Sequence, residues 1–495
     1  MSGSLLVAGT TSDAGKTIVT TALCRAFARR GLRVAPFKAQ NMSNNSMVVG
    51  GVPGADGAMM GAEIGRAQWV QALAAGVEPE VAMNPVLLKP GGDRRSHVVV
   101  MGQPAGEIAS SEFIGGRTHL TEAAFAAYDD VASRFDIVVC EGAGSPTEIN
   151  LRAGDYVNMG LARHARMPVV VVGDIDRGGV FAAMYGTVAL LAAADQRLVA
   201  GFVVNKFRGD ESLLRPGLDR LERLTGRRVH GVLPWTPDLW LDSEDALDLA
   251  GRRSGGEGAL RVAVVRLPRI SNFTDVDALG IEPGVDITFV TDPRGLADAD
   301  LVVVPGTRAT LADLSWMRSR GLDLALLDHA DAGRPVLGIC GGFQMLGRTI
   351  SDPDGVEGVR GAEAAGLGLL DVTTTFDADK VLRLHEDGGY EIHHGRAETG
   401  DVDEFPGGAR DEAVFGTMLH GSLESDEFRR AFLADTAALV GKTFHSSGAS
   451  FAAARATRLD LLGDLAEKHL DLDALLWLAR DGAPAAPLLS PGANE

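Results

Sequence analysis

Short, nearly unbroken apolar runs alternate with segments of helical periodicity along most of the chain. In the first half the runs are Leu5-Leu6-Val7-Ala8, Arg33-Val34-Ala35-Pro36-Phe37, 135–140, 167–173 and 198–205. In the second half they are Arg261-Val262-Ala263-Val264-Val265, Leu301-Val302-Val303-Val304, 335–339 and 414–419. Runs apolar on both faces are the mark of parallel strands covered by helices, so the pattern predicts α/β architecture with two doubly wound domains. The composition changes at 243–258, where Ser254-Gly255-Gly256-Glu257-Gly258 reads as a linker. The predicted division is 1–245, a linker at 246–260, 261–440, and C-terminal helices with a tail at 441–495. The apolar spacing of 458–465 and 472–478 predicts amphipathic helices, packed back on a sheet or on another subunit.

Composition narrows the picture. The chain has 495 residues and a formal net charge of −19, which argues against general binding to nucleic acid or to an anionic membrane. Its three cysteines, Cys24, Cys140 and Cys340, are far apart, so neither a disulfide framework nor a paired-cysteine zinc site is expected. A reducing cytoplasm fits, no apolar run is long enough to span a membrane, and no signal peptide is read at the N-terminus.

The first chemistry lies between a strand and a helix. Gly9-Thr10-Thr11-Ser12-Asp13-Ala14-Gly15-Lys16-Thr17 follows the first apolar run and precedes Val19, Leu23, Ala26 and Phe27 at helical spacing. This is the setting of a phosphate-binding loop. Loop N–H groups would cradle phosphate, with Lys16 reaching the β- and γ-phosphates and the Thr17 hydroxyl binding Mg²⁺. The loop departs from the usual spacing, with five residues between Gly9 and Gly15 and Thr10 in the customary glycine place. Ligands of parallel sheets bind at strand C-termini. Glu141 there suits Mg²⁺, Asp174, Asp176 and Arg177 suit metal, acyl phosphate or a substrate carboxylate, and the amide of Asn205 suits the edge of adenine.

The second chemistry is Pro335-Val336-Leu337-Gly338-Ile339-Cys340-Gly341-Gly342-Phe343-Gln344. An apolar run, a cysteine, two glycines and a helical start place a nucleophile on a sharp strand-to-helix turn. A helix N-terminus behind the sulfur favours the thiolate and offers N–H groups to an oxyanion. His393, His394 and His420 compete as its base. His420 ranks first, because it closes a strand just before a turn.

The phosphate loop resembles that of dethiobiotin synthetase. Lys38-Ala39-Gln40-Asn41-Met42-Ser43-Asn44-Asn45-Ser46, with Glu63–Gln68 and Met83–Pro90 behind it, closely resembles the signature of the cobyric acid synthase family. Around Cys340 and His420 the second half resembles class I glutamine amidotransferases. The resemblance implies an ATP-dependent amide ligase, cytoplasmic and possible as a homo-oligomer, with ATP, Mg²⁺, glutamine and a corrinoid as small-molecule ligands. On that footing Glu141 is a metal ligand, joined by Asp56 from a glycine-rich insertion at 50–60. Asn205 contacts the base, the backbone at Gly306 and Gly341 forms an oxyanion hole, and the run with Gln40, Asn41, Ser43 and Asn44 is either a solvated loop or a polar wall facing the substrate. The acid that often follows the histidine is replaced by Ser422, which implies a Cys–His dyad. Glu424 reads as a charge at a helix N-terminus. Two alternatives stay open: the sister enzyme that makes the a,c-diamide, and a ParA/MinD-like ATPase switch with an inactive amidotransferase domain.

Overall fold

The computed structural model describes residues 3–53, 59–91, 95–109, 117–236, 259–385 and 388–489. Asp56 and most of the predicted linker lie outside the described residues.

The first half is built on a six-stranded sheet in the order 228–234, 199–207, 169–174, 3–9, 137–141, 34–37. Every pairing in it is parallel. The strand Val169–Asp174 is buried along its whole length, as expected for a sheet covered on both faces. Strand Gly3–Gly9 lies at its centre and feeds the helix Lys16–Arg29. Two additions, one a mixed sheet and one antiparallel, escape the apolar pattern. One is a four-stranded sheet in which 40–42 pairs with 86–90; the other is the hairpin of Ser46–Pro53 with Met59–Gly65.

The second half has a seven-stranded sheet ordered 285–290, 260–265, 301–304, 336–339, 414–417, 408–411, 403–405. The first five strands are parallel and the last two antiparallel. A second sheet contains the long strands Val372–Leu384 and Tyr390–Thr399, and the 46–65 hairpin of the first half packs against them. Two doubly wound domains are therefore present, closed on each other along that hairpin.

The C-terminal helices cross back to the first half. Helix Phe451–His469 lies along Lys16–Arg29, and Leu459, Leu462 and Ala466 join a core with Val19, Leu23 and Phe27. Gly463 permits the close crossing, since a Cβ there would stand 2.8 Å from Arg25 Cγ. Helix Leu472–Asp481 packs against the central strand.

Candidate active site

Cys340 ends strand Val336–Ile339 and caps the short helix Gly341–Leu346 with φ of +51°. A non-glycine residue seldom adopts that angle, and a strained turn is how a strand projects a nucleophile. The turn needs glycine behind it. A Cβ on Gly342 would lie 1.9 Å from the Val304 carbonyl oxygen, and one on Gly341 2.7 Å from Thr307 Cγ2.

His420 reaches the same point from the end of Val414–Thr417. Asp275 hydrogen-bonds its ring at 2.7 Å from Nδ1 to Oδ2, and Cys340 lines the same cleft. The other Asp275 oxygen accepts the Gly421 N–H at 2.9 Å, so one carboxylate holds the imidazole and the backbone beyond it. The expected Cys–His dyad is corrected here. A third member arrives from the 3₁₀ segment Phe273–Ile281, far from Ser422 in sequence. Burial alone would disfavour a charged His420, but Asp275 and then Cys340 outweigh it and push the imidazole up to about 10. Tyr390 stacks on the ring, with centroids 5.4 Å apart.

The competing histidines are occupied. His393 Nδ1 meets the Gly395 carbonyl at 2.8 Å and Nε2 meets Glu391 at 2.9 Å. His394 Nδ1 meets the Asp377 carbonyl, and burial followed by Lys380 and Arg308 lowers its pKa to about 4. Gly306 and Gly341 border the sulfur–imidazole pair: a Cβ on Gly306 would lie 3.0 Å from His420 Cε1, and Gly341 abuts Thr307. The cleft beside Cys340 is lined from its own domain by Thr310, Gln344 and Glu357, and from the first half by Asn44 and Lys89.

At the other sheet, Gly15 begins its helix with φ of +96°. A Cβ there would lie 1.9 Å from Asn205 Nδ2, so glycine is required by space as well as angle. Lys16 Nζ spans the loop carbonyls of Thr11 and Ser12 at 2.9 and 2.8 Å and reaches Gly144 O at 3.1 Å. The Thr10 N–H is committed to Val172 O at 2.9 Å, part of the sheet. Asn205 Nδ2 donates to Ala14 O at 3.0 Å, bracing the loop from beneath.

Thr17 Oγ1 donates to Glu141 Oε1 at 2.9 Å. That spacing fits two neighbouring ligands of an octahedral Mg²⁺ with bonds of about 2.1 Å, and both donors are hard oxygens. Lys38 Nζ also binds Glu141 Oε1 at 2.9 Å, and Gln71 Nε2 binds Oε2 at 2.6 Å. Asp13, Asp174, Asp176 and Arg177 form an ion-paired set with Lys206 and Arg208 at the adjoining strand ends. Lys206 Nζ bridges Asp174 Oδ2 and the Asp13 carbonyl, each at 2.9 Å.

A cavity of about 440 Å³ beside the loop is lined by Lys16, Thr17, Lys38, Gln40, Asn41 and Glu141, among others. Gln40 accepts from Tyr156 Oη, and Ser43 Oγ accepts the Asn45 N–H at 3.0 Å. The amide-rich stretch thus divides, with Gln40 and Asn41 at this cavity and Asn44 at the Cys340 cleft. Glu424 lies in the 3₁₀ turn Ser422–Glu424 just before helix Asp426–Leu439, and it also pairs with Arg66 of the first half at 2.6 Å and with Arg455 at 2.9 Å.

Fold and site together define a nucleotide-binding domain fused to a glutamine amidotransferase domain. Residues 5–248 match the CobQ/CobB/MinD/ParA nucleotide binding domain, and residues 261–428 match the CobB/CobQ-like glutamine amidotransferase domain. The chain is 70% identical over 498 residues to a cobyric acid synthase of Mycobacterium ulcerans (strain Agy99), covering 99% of each chain. It is 69% identical over 504 residues to that of Mycobacterium tuberculosis (strain ATCC 25618 / H37Rv), covering 100% of each. The chain belongs to the cobyric acid synthase family.

Proposed function

We propose that this enzyme uses ATP and glutamine to amidate the b, d, e and g carboxylates of adenosylcobyrinic acid a,c-diamide, giving adenosylcobyric acid in cobalamin biosynthesis. The observation that carries this reading is the joint lining of two sites by one segment. The stretch after Phe37 borders the cavity of Lys16 and Glu141 at one end and the cleft of Cys340 at the other.

In the cleft, Cys340 sulfur attacks the glutamine side-chain carbonyl carbon. His420, charged at neutral pH beside Asp275, gives its proton to the departing nitrogen, and ammonia leaves a γ-glutamyl thioester. An imidazolium beside a cysteine is the arrangement that favours an attacking thiolate. Water, with its proton taken by the now neutral His420, then releases glutamate. Backbone N–H groups at Gly341 and the Gly306 turn would receive the oxyanion of each tetrahedral intermediate.

In the cavity, Lys16 and the loop N–H groups orient the terminal phosphates of ATP, and a substrate carboxylate oxygen attacks the γ-phosphorus, expelling ADP. Ammonia attacks the resulting acyl phosphate and phosphate departs, leaving the amide. Mg²⁺, held by Thr17 and Glu141, would offset phosphate charge. Asn205 holds the loop in shape, and Lys206 ties Asp13 to Asp174 beside it.

The test is mass spectrometry of the corrinoid product, counting amides added with either glutamine or ammonium as nitrogen source. Cys340→Ala should lose synthesis from glutamine and keep it from ammonium. Lys16→Ala should lose both. Glutamine use by Cys340→Ala, or near wild-type ammonium use by Lys16→Ala, would overturn the assignment.

A further inference from the structure

One short segment, 269–275, joins the parts of the Cys340 site. The Arg269 carbonyl accepts the Arg308 N–H at 3.0 Å and the Thr307 hydroxyl at 3.1 Å. The Ser271 N–H donates to the Gly306 carbonyl at 2.8 Å, so the segment is laced to the turn beside the sulfur. At its far end stands Asp275, which holds the His420 ring.

The first half grips this segment at two points. Arg269 Nε donates to the Gly91 carbonyl at 2.7 Å, and Asn272 Oδ1 accepts the Ser46 N–H at 2.9 Å. Asn272 is 3% exposed and has φ of +48°, an angle that asparagine tolerates better than most side chains. It stands just ahead of the 3₁₀ segment Phe273–Ile281, and its carbonyl accepts the Asp275 N–H at 2.9 Å. Its side chain is therefore tied to the first half while its backbone is tied to the residue that orients the imidazole. Ser46 is a firm anchor. Its hydroxyl donates to Glu63 at 2.6 Å and accepts from Lys89 at 2.9 Å, inside a buried ion cluster. A turn-forming role would account for the backbone angle of Asn272, but not for an amide oxygen buried against an N–H of the other half.

Resting on the glutamine chemistry proposed above, we propose that Asn272 is a positioning residue for the Cys340 site: held by the Ser46 N–H, it sets Asp275 against His420. The first half thus supplies part of the geometry of the glutamine site, through a bond that touches neither the sulfur nor the imidazole.

The test is a double-mutant cycle on glutamate release, with wild type, Asn272→Gly, Asp275→Asn and the pair combined. Glycine keeps the left-handed turn and deletes the acceptor. Rates are expressed per Cys340 alkylated by iodoacetamide with Cys24 and Cys140 unreacted; those two are fully buried, so only folded enzyme counts. Asn272→Gly should lower kcat roughly tenfold, the worth of about one hydrogen bond. Asn272 lines the Cys340 cleft, but its oxygen is committed to Ser46, so KM for glutamine should change little. On top of Asp275→Asn the glycine should cost nothing further, because it acts through that carboxylate. Asn272→Asp, which keeps an oxygen for Ser46, should fall between wild type and the glycine variant. A full loss added to that of Asp275→Asn, a loss confined to KM, or wild-type kcat in Asn272→Gly would each overturn the positioning role. Glutamine use by Cys340→Ala would instead overturn the chemistry on which that role rests.

Discussion

His420 shows how much a single buried carboxylate decides. Its side chain is 1% exposed, a setting that should keep an imidazole neutral, yet Asp275 at 2.7 Å reverses the outcome. Asp275→Asn preserves shape and removes the charge. Glutamine hydrolysis should fall by roughly 10²–10⁴, the range for disabling a positioned base or its orienting acid. Synthesis from ammonium should persist, so measuring both separates a positioning role from misfolding. Stability provides a second readout. A folded pKa of about 10 against an ordinary 6.5 stabilises fully below pH 6.5, and the contribution disappears as pH rises through about 10. Melting temperatures of wild type and Asp275→Asn should therefore differ most near pH 6 and converge toward pH 10.5. Equal separation across that range would mean that Asp275 acts on something other than the imidazolium. Asp275 was hidden in the sequence because it lies 145 positions from His420, and no local spacing joins them. Cys340 and Lys16 were legible because a strand, a turn and a helix must be consecutive to position them.

At the scale of elements, the legible parts were those whose two faces are both buried. Continuous apolar runs revealed most parallel strands of both main sheets, but not the edge strands 228–234 and 285–290, where polar residues interrupt the pattern. The hairpin Ser46–Pro53 with Met59–Gly65 was missed although Met47, Val48, Val49, Ala62 and Ile64 join the apolar core, because glycines and the charge of Glu63 interrupt its pattern. Glu63 is fully buried and binds Ser46 at 2.6 Å, Lys89, and Lys380 of the other half at 2.6 Å. Burial would raise its pKa, but Lys380 and Lys89 hold it below the usual carboxylate range. Hydrophobic periodicity cannot reveal the buried ion cluster that ties this hairpin to the other half. The turn at Cys340 has the opposite character, since backbone shape alone specifies it. Gly342→Ala would bring a methyl within 1.9 Å of the Val304 oxygen, and only movement of strand or helix could relieve it. The variant should lose about 1–3 kcal/mol of stability and most glutamine hydrolysis. Urea unfolding with a glutamate assay checks both, and a variant with unchanged stability would show that the elbow is looser than its packing implies.

For the whole molecule, the question is what holds the C-terminal helices on the phosphate-loop domain. Two kinds of contact compete. Arg25 and Arg29 meet Asp460 at 2.6 and 2.8 Å, but the Asp460 side chain is 45% exposed. Exposed pairs are screened and worth up to about 1 kcal/mol. Leu462 is fully buried in the core it shares with Val19, Leu23 and Phe27. Leaving a cavity at such a position costs about 2–5 kcal/mol. Burial should therefore dominate, and Asp460→Ala should shift the melting temperature much less than Leu462→Ala. Function should follow the same order, because the helix Lys16–Arg29 beneath Leu462 carries the phosphate loop at its start. Leu462→Ala should raise the KM for ATP in synthesis from ammonium while leaving glutamine hydrolysis close to wild type, since the Cys340 turn lies in the other domain. Scanning calorimetry and the two steady-state assays decide it. A larger penalty in Asp460→Ala would make the helices an electrostatic clasp, and an unchanged KM in a destabilised Leu462→Ala would show that the strap stabilises the fold without shaping the nucleotide site.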